Sequence, residues 1–329
     1  MNNKAIVAVI GLGNIALRHR RNLKQIFPDA EVIAMSSSGR AITDAIEFAD
    51  DSVSDLATLI LKKPYFVIVA SPSSHHQQHA AALIEAGIPV LIEKPVTSNV
   101  SDARKLILLE QTNDTPIAVA YCLRYLPSAQ QVKKVLESGQ LGVIYNVHAE
   151  VGQYLPDWRP NKDLMASVSA NPELGGGVLL ELSHELDYLH WLLGDFSLEY
   201  ACLRNSRELN LAVEEIADIT LRNQQGTVCQ IHLDFLQKMP YRQCHVIGSK
   251  ARLIWDVINN TVTVFSAQGQ EVIYAEPKWD KNLMYISMIE DFINLLNQQK
   301  NQCIDLQQAL KTVELIDQIK QRAITGKQQ

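Results

Sequence analysis

Cysteine is scarce and scattered in this chain of 329 residues: Cys122, Cys202, Cys229, Cys244 and Cys303 are odd in number and form no Cys-x-x-Cys pair. Neither a disulfide framework nor a zinc knuckle is expected, and a reducing cytoplasm fits best. Also missing is any apolar run approaching the length of a membrane span, and Met1 to Lys4 lead into the first apolar segment without a signal-peptide pattern. No membrane partner is expected. Excess positive charge is absent too: a formal net charge of -6 gives no general attraction to nucleic acid or anionic lipid. The basic run Arg18-His19-Arg20-Arg21 reads as a solvated helix face. There is no internal repeat and no low-complexity linker. What remains, 47% hydrophobic and 20% charged residues, is the composition of a globular protein long enough to bury two cores.

The richest stretch is Ala5 to Ala16, where the apolar run Ile6 to Ile10 enters Gly11-Leu12-Gly13-Asn14-Ile15-Ala16 and then a helical pattern. Gly11 permits a sharp turn, Gly13 permits close backbone approach to a pyrophosphate, and Ala16 permits tight helix-to-strand packing. The helix start at Asn14 and Ile15 then presents its free N–H groups to the phosphates. A dinucleotide site is expected, against the blander reading of a purely structural turn.

Further strands are expected at Glu31–Met35, Tyr65–Ala70, Ile88–Ile92 and Ile117–Tyr121, with helices between them. Near-continuous apolar strands separated by helices imply a parallel, doubly wound sheet of Rossmann type. Beyond Val143 the strands lengthen and crowd together: Val143–Val151, Ile216–Arg222, Thr227–Phe235, Gln243–Ile247, Ala251–Asp256, Thr261–Phe265 and Glu271–Tyr274. Connections such as Asn223–Gly226 suit antiparallel hairpins. The fold class is therefore α/β, a Rossmann-type first domain over residues 1–122 and an α+β second domain over 123–329 with a large, mainly antiparallel open sheet. The C-terminal helices are candidates to pack back on the first domain. The last of them opens with Asp305 and Gln308 as a capping box and carries Leu310, Val313, Ile316 and Ile319 on one face.

Three local patterns carry chemistry. Lys94 follows a buried strand and precedes Pro95, which ends the ladder and holds Lys94 extended, aiming an ammonium from the ligand-binding end of the sheet; alternatively it is a surface lysine. In Gly175-Gly176-Gly177-Val178-Leu179-Leu180-Glu181-Leu182-Ser183-His184-Glu185-Leu186-Asp187, the residues Glu181, His184 and Asp187 recur at spacing three and are expected on one helical face. His184 is then a proton-transfer candidate oriented by Asp187 and assisted by Glu181, or all three form a buried polar network. No metal is expected, because Tyr188 stands where a His-Glu-x-x-His pattern needs its second ligand. At the end of the second strand, Ser36, Ser37, Ser38 and Arg40 replace the acid that would hold the ribose of NAD. Hydroxyls and a guanidinium suit a 2′-phosphate, so NADP is expected, with NAD as the alternative.

The order of the two halves, with four motifs spread from residue 6 to 187, resembles the family of glucose-fructose oxidoreductase and inositol dehydrogenase. The motifs are the glycine turn, Pro72-Ser73-Ser74-His75-His76 after the Tyr65 strand, Glu93-Lys94-Pro95, and the Gly175–Asp187 segment. The resemblance implies a sugar or polyol oxidoreductase transferring hydride to or from nicotinamide. It places Ser71, Pro72, His76, Glu93 and Lys94 at the cofactor, and Lys94 and His184 at the substrate. It also implies a homodimer or homotetramer through the second sheet. His184 and Asp187 match the family pattern; Glu181 departs from it in type and spacing. Tyr121–Pro127 looks like the family's crossover segment, placing Arg124 near the substrate. Tyr154, Trp158 and Arg159, in a proline-bounded loop, could stack on a sugar and grip an anion, though either arginine could equally be a salt-bridge partner. The loop is similar to a branch acting on bacterial surface sugars, acidic ones among them. A redox-assisted lyase, hydratase or glycosidase with retained cofactor is the second reading, and a non-catalytic nucleotide-binding regulator the third.

Overall fold

The computed structural model describes residues 5–158, 163–165 and 167–327. Two compact units emerge, Met1–Tyr121 with Asn282–Val313, and Cys122–Lys281 with Glu314–Gln329.

The first unit runs β1 (Ile6–Ile10), α1 (Asn14–Ile26), β2 (Glu31–Met35), β3 (Asp51–Val53), α2 (Leu56–Leu61), β4 (Phe66–Val69), α3 (His76–Glu85), β5 (Val90–Glu93), α4 (Val100–Thr112) and β6 (Ile117–Ala120). All six strands are parallel in the order β3-β2-β1-β4-β5-β6, a doubly wound sheet. Helices on both faces leave β4 and β5 buried at every residue, which is why their sequences FVIV and VLIE are almost wholly apolar. Each such aliphatic side chain contributes about 1.5–3 kcal/mol. The strand order reverses between β1 and β4, where ligands of open α/β sheets bind beyond the carboxyl ends. Gly11, Ser71 and Lys94 all lie just past those ends.

The second unit contains α5 (Pro127–Glu137), β7 (Ile144–Gly152), α6 (Val178–Glu181), α7 (His184–Leu193), β8 (Phe196–Asn205), β9 (Ile216–Asn223), β10 (Val228–Asp234), β11 (Tyr241–Gly248), β12 (Ala251–Asp256), β13 (Thr261–Ser266) and β14 (Gly269–Ala275). After these come α8 (Leu283–Leu296), which returns to the first unit and sets Phe292 edge-on to Phe66 at 5.6 Å, then α9 (Leu306–Arg322) and β15 (Ile324–Lys327). The sheet has nine strands in the order β14-β13-β12-β11-β7-β10-β9-β8-β15. It is antiparallel except where β7 meets β10 and β15 meets β8. One face is the core: Val147, Ala149 and Val151 of β7 are buried, whereas Asn146, His148 and Glu150 are exposed or half-buried. Trp255 lies fully buried there, donating from Nε1 to Ser128 Oγ at 2.8 Å and meeting Tyr188 of α7 edge-on at 5.0 Å.

Strands β3, β8 and β15 are additions to the sequence reading. Strand β8 hides because a register shift between Leu198 and Tyr200 breaks the period-two alternation. Asp305 does cap α9, accepting the Gln308 N–H at 2.7 Å, and Leu310, Val313, Ile316 and Ile319 are buried.

Candidate active site

In the first unit the glycine turn is locked by its surroundings. Gly11 has φ 120°, and a β-carbon there would run into the Ala70 carbonyl, so no other residue fits. Its N–H donates to Met35 O at 2.8 Å and its carbonyl accepts from Arg20 at 3.0 Å. Gly13 precedes α1 in extended backbone; no side chain caps the helix and no acid stands in its first turn, which leaves an anion-binding start where Gly13 and Asn14 are exposed and Ile15 half-buried. These features fit a pyrophosphate. Ser36 is buried with its hydroxyl 3.2 Å from Ser38 Oγ, while Ser37 is half-buried and Ser38 and Arg40 are exposed.

One expectation holds only in part. In the run Arg18–Arg21, Arg18 and Arg21 are exposed, with Arg18 over the Tyr285 ring at 4.5 Å, but His19 and Arg20 are buried rather than solvated. The buried side chains find partners outside α1, His19 Nε2 at Glu93 Oε1 (2.7 Å) and Arg20 at the carbonyls of Gly11 and Glu47. Glu93 uses its other oxygen on the Lys94 N–H at 3.0 Å. Burial pushes the Glu93 carboxyl up, but the His19 hydrogen bond and charge, with the nearby Lys94 charge, outweigh it and leave it below the usual range. Both Glu93 oxygens are thus spent inside the protein, fixing the backbone at Lys94. His76 braces the same turn from the other side, its ring nitrogens facing Ser71 O at 2.8 Å and Pro95 O at 3.0 Å. Burial lowers its pKa, so the ring is neutral and donates to one carbonyl at a time. Pro72 caps the turn into α3, the Lys94–Pro95 bond is cis, and Lys94 itself is half-buried.

In the second unit Glu181, His184 and Asp187 do not share a helical face. Helix α6 ends at Glu181 because Leu182 leaves helical geometry (φ −101°, ψ 27°), and α7 starts anew at His184. The three side chains part accordingly. Glu181 accepts from Ser169 Oγ at 2.9 Å, and Asp187 takes Arg124 in a two-pronged ion pair at 3.0 and 2.6 Å, both residues buried. Burial holds the Asp187 carboxyl above the usual range, with Arg124 drawing the other way. Of the alternatives open for Arg124 the structure has the salt bridge, and Asp187 spends both oxygens on it rather than orienting His184. Sequence reasoning missed a second pair: Glu185, fully buried, is gripped by Arg242 at 2.7 and 2.9 Å. An arginine in phase with buried Cys244 and Val246 on β11 was the available signal. Two arginine–carboxylate pairs therefore anchor the first turn of α7, at whose start His184 is half-buried. The turn before α6 needs glycine at 177, where φ is 106° and a β-carbon would strike the Glu214 carboxylate.

The loop after β7 is already engaged. Tyr154 donates to Glu208 at 2.8 Å with the Lys238 ammonium 3.2 Å above its ring, and Trp158 meets Phe235 edge-on at 5.7 Å. Arg159 lies outside the described residues. Among the described residues no group of three or more His, Cys, Asp or Glu could hold a metal ion, and no helix is long and apolar enough to cross a membrane.

Comparison with known proteins now decides the family. The profile of an oxidoreductase family with an NAD-binding Rossmann fold matches residues 6–121, and that family's C-terminal alpha/beta domain matches 133–328. The chain belongs to the Gfo/Idh/MocA oxidoreductase family. Within it, the chain is similar to inositol 2-dehydrogenase 2 of Saccharopolyspora erythraea, 29% identical over 69% of this chain and 66% of that one, just under two thirds of the relative's length. Levoglucosan dehydrogenase in complex with NADH and levoglucosan shares the fold of this Gfo/Idh/MocA member at TM-score 0.84 and 18% identity, over 98% and 97% of the two chains. So does the WlbA dehydrogenase from Bordetella pertussis in complex with NADH and UDP-GlcNAcA, at TM-score 0.81 and 21% identity over 98% and 96%.

Proposed function

We propose that this chain is an NADP-preferring dehydrogenase or reductase acting on a CH–OH group of a sugar, sugar derivative or polyol. Residues 1–122 bind the dinucleotide, and residues 123–329 bind substrate and mediate homodimers or homotetramers through the second sheet. The observation that carries the reading is the turn at Lys94: Glu93, His19 and His76 are all spent on fixing its backbone past the carboxyl end of β5. Such investment in one lysine fits a residue whose position matters to chemistry. A bound nicotinamide supplies or accepts the hydride. Lys94 donates a hydrogen bond to the substrate oxygen and stabilises negative charge on it, and His184 exchanges that oxygen's proton.

The preference for NADP rests on Ser36, Ser37, Ser38 and Arg40 in place of an acid. Substrates named for relatives, inositol, levoglucosan and UDP-GlcNAcA, are polyhydroxylated. We read the substrate here as one of that kind, with the Trp158-Arg159-Pro160 loop and the Glu181–His184 variant favouring sugars of bacterial surfaces. The scattered cysteines, with no Cys-x-x-Cys pair, favour a cytoplasmic location. The test is turnover with a panel of polyols and keto-sugars. Lys94→Ala and His184→Ala should each lower kcat/KM by about 10²–10⁴-fold with dinucleotide affinity kept within about threefold. Normal turnover in both variants sinks the assignment.

A further inference from the structure

Arg20 stands on α1, and only 2% of it is exposed. Helical side chains lean toward the N-terminus, so its guanidinium reaches back to the turn that precedes the helix. There Nη1 donates to Gly11 O at 3.0 Å, and Nε donates to Glu47 O at 3.0 Å. The Gly11 N–H is already spent on Met35 O at 2.8 Å, so both backbone polar groups of Gly11 are held. A peptide unit is planar, and the guanidinium therefore fixes which way the whole Gly11–Leu12 peptide faces.

Taking a guanidinium out of water is costly unless an anion stands beside it. Arg124 and Arg242 have one: Asp187 takes the first and Glu185 the second, each by two bonds. Arg20 has two neutral carbonyls, and among the described residues no carboxylate comes within ion-pair distance of it. Burial pulls its pKa down and the Glu47 charge draws it back from longer range; an arginine keeps its proton through both. The first turn of α1 holds no acid either. A buried positive charge and the positive end of a helix thus meet at one turn, and what would neutralise both is an anionic ligand.

We infer that Arg20 is a positioning residue for the pyrophosphate of the dinucleotide: it holds the Gly11–Leu12 peptide in place, and the phosphates that rest at this turn neutralise its charge. The inference rests on the reading that the Gly11 turn binds a nicotinamide dinucleotide. The pyrophosphate is common to NADPH and NADH, so Arg20 acts on both alike, whereas Arg40 acts on the 2′-phosphate alone.

The experiment titrates NADPH and NADH by fluorescence into the full chain, wild type or carrying Arg20→Met, Arg20→Gln, Arg20→Lys or Arg40→Ala. The neutral variants at position 20 should weaken both dinucleotides by the same factor, about 30-fold. Arg20→Lys, which keeps the charge but not the fork, should weaken both by about threefold. A residue that only filled space would be replaced as well by methionine as by lysine. If methionine costs the fold, judged by urea unfolding, glutamine serves as the neutral variant. Neutral variants within about twofold of wild type, or binding no tighter with lysine than with a neutral residue, overturn the inference. So does a loss that falls on NADPH alone, the pattern expected of Arg40→Ala. A wild-type chain that binds neither dinucleotide overturns the reading of the Gly11 turn beneath it.

Discussion

Histidines brace the candidate residues of the first unit, and arginines those of the second. His19 and His76 fix the turn at Lys94 and His79 meets Ser71 past β4, by hydrogen bonds to a carboxylate, carbonyls and a hydroxyl, with His76 and His79 shifted toward the uncharged ring by burial. In the second unit, Arg124 on Asp187 and Arg242 on Glu185 hold the first turn of α7 by two-pronged ion pairs. A neutral imidazole gives direction at little desolvation cost but yields to acid. A guanidinium keeps its charge at every working pH, and its removal strands a buried carboxylate. The two halves should therefore fail in different ways.

The largest effect is expected from Arg124→Met. Leaving Asp187 buried and unpaired should cost about 3–5 kcal/mol in urea unfolding, and adding Asp187→Asn should return a good part of it. No loss in the single variant would mean the pair does not support α7.

Next comes pH. His79 has a folded pKa of about 4, below its ordinary value near 6.5, so the unfolded chain binds a proton between those limits that the folded chain does not. Its contribution is complete above about pH 6.5 and falls as pH drops toward 4, by about 3 kcal/mol over the window. His232, in the second unit, behaves oppositely: paired with Asp234 and Asp218, its pKa is raised to about 9, so its contribution is complete below about pH 6.5 and is lost as pH rises through 9. Unfolding measured at pH 5, 7 and 9.5 should show His79→Leu flattening the acid side alone and His232→Gln the alkaline side alone. The reverse pattern would dissolve the contrast.

Legibility in the sequence follows the same divide. Gly11, Lys94 and the strands of the first sheet can be read because their signals are local: an apolar run, then a glycine or proline at its end. His19 and Arg20 misread as solvated because their partners, Glu93 and the Gly11 and Glu47 carbonyls, are brought near only by the fold. In the second unit the break between α6 and α7 carries no glycine or proline at Leu182-Ser183, so spacing three implied one face where there are two helices. The Arg242–Glu185 pair joins residues 57 positions apart, and nothing local marks it except a charge out of place on an inward strand position.

A smaller change tests the first unit's selectivity. Arg40→Ala should lower NADPH affinity about tenfold and leave NADH nearly unchanged, read as two dissociation constants. Equal losses would remove the argument from the 2′-phosphate.

The central claim is that the first unit is a nicotinamide dinucleotide cradle with a preference for the 2′-phosphate. Calorimetric titration of the full chain with NADPH and with NADH tests it most directly. The account predicts saturable binding of one dinucleotide per chain, tighter for NADPH; binding of neither would contradict it from the Gly11 turn onward.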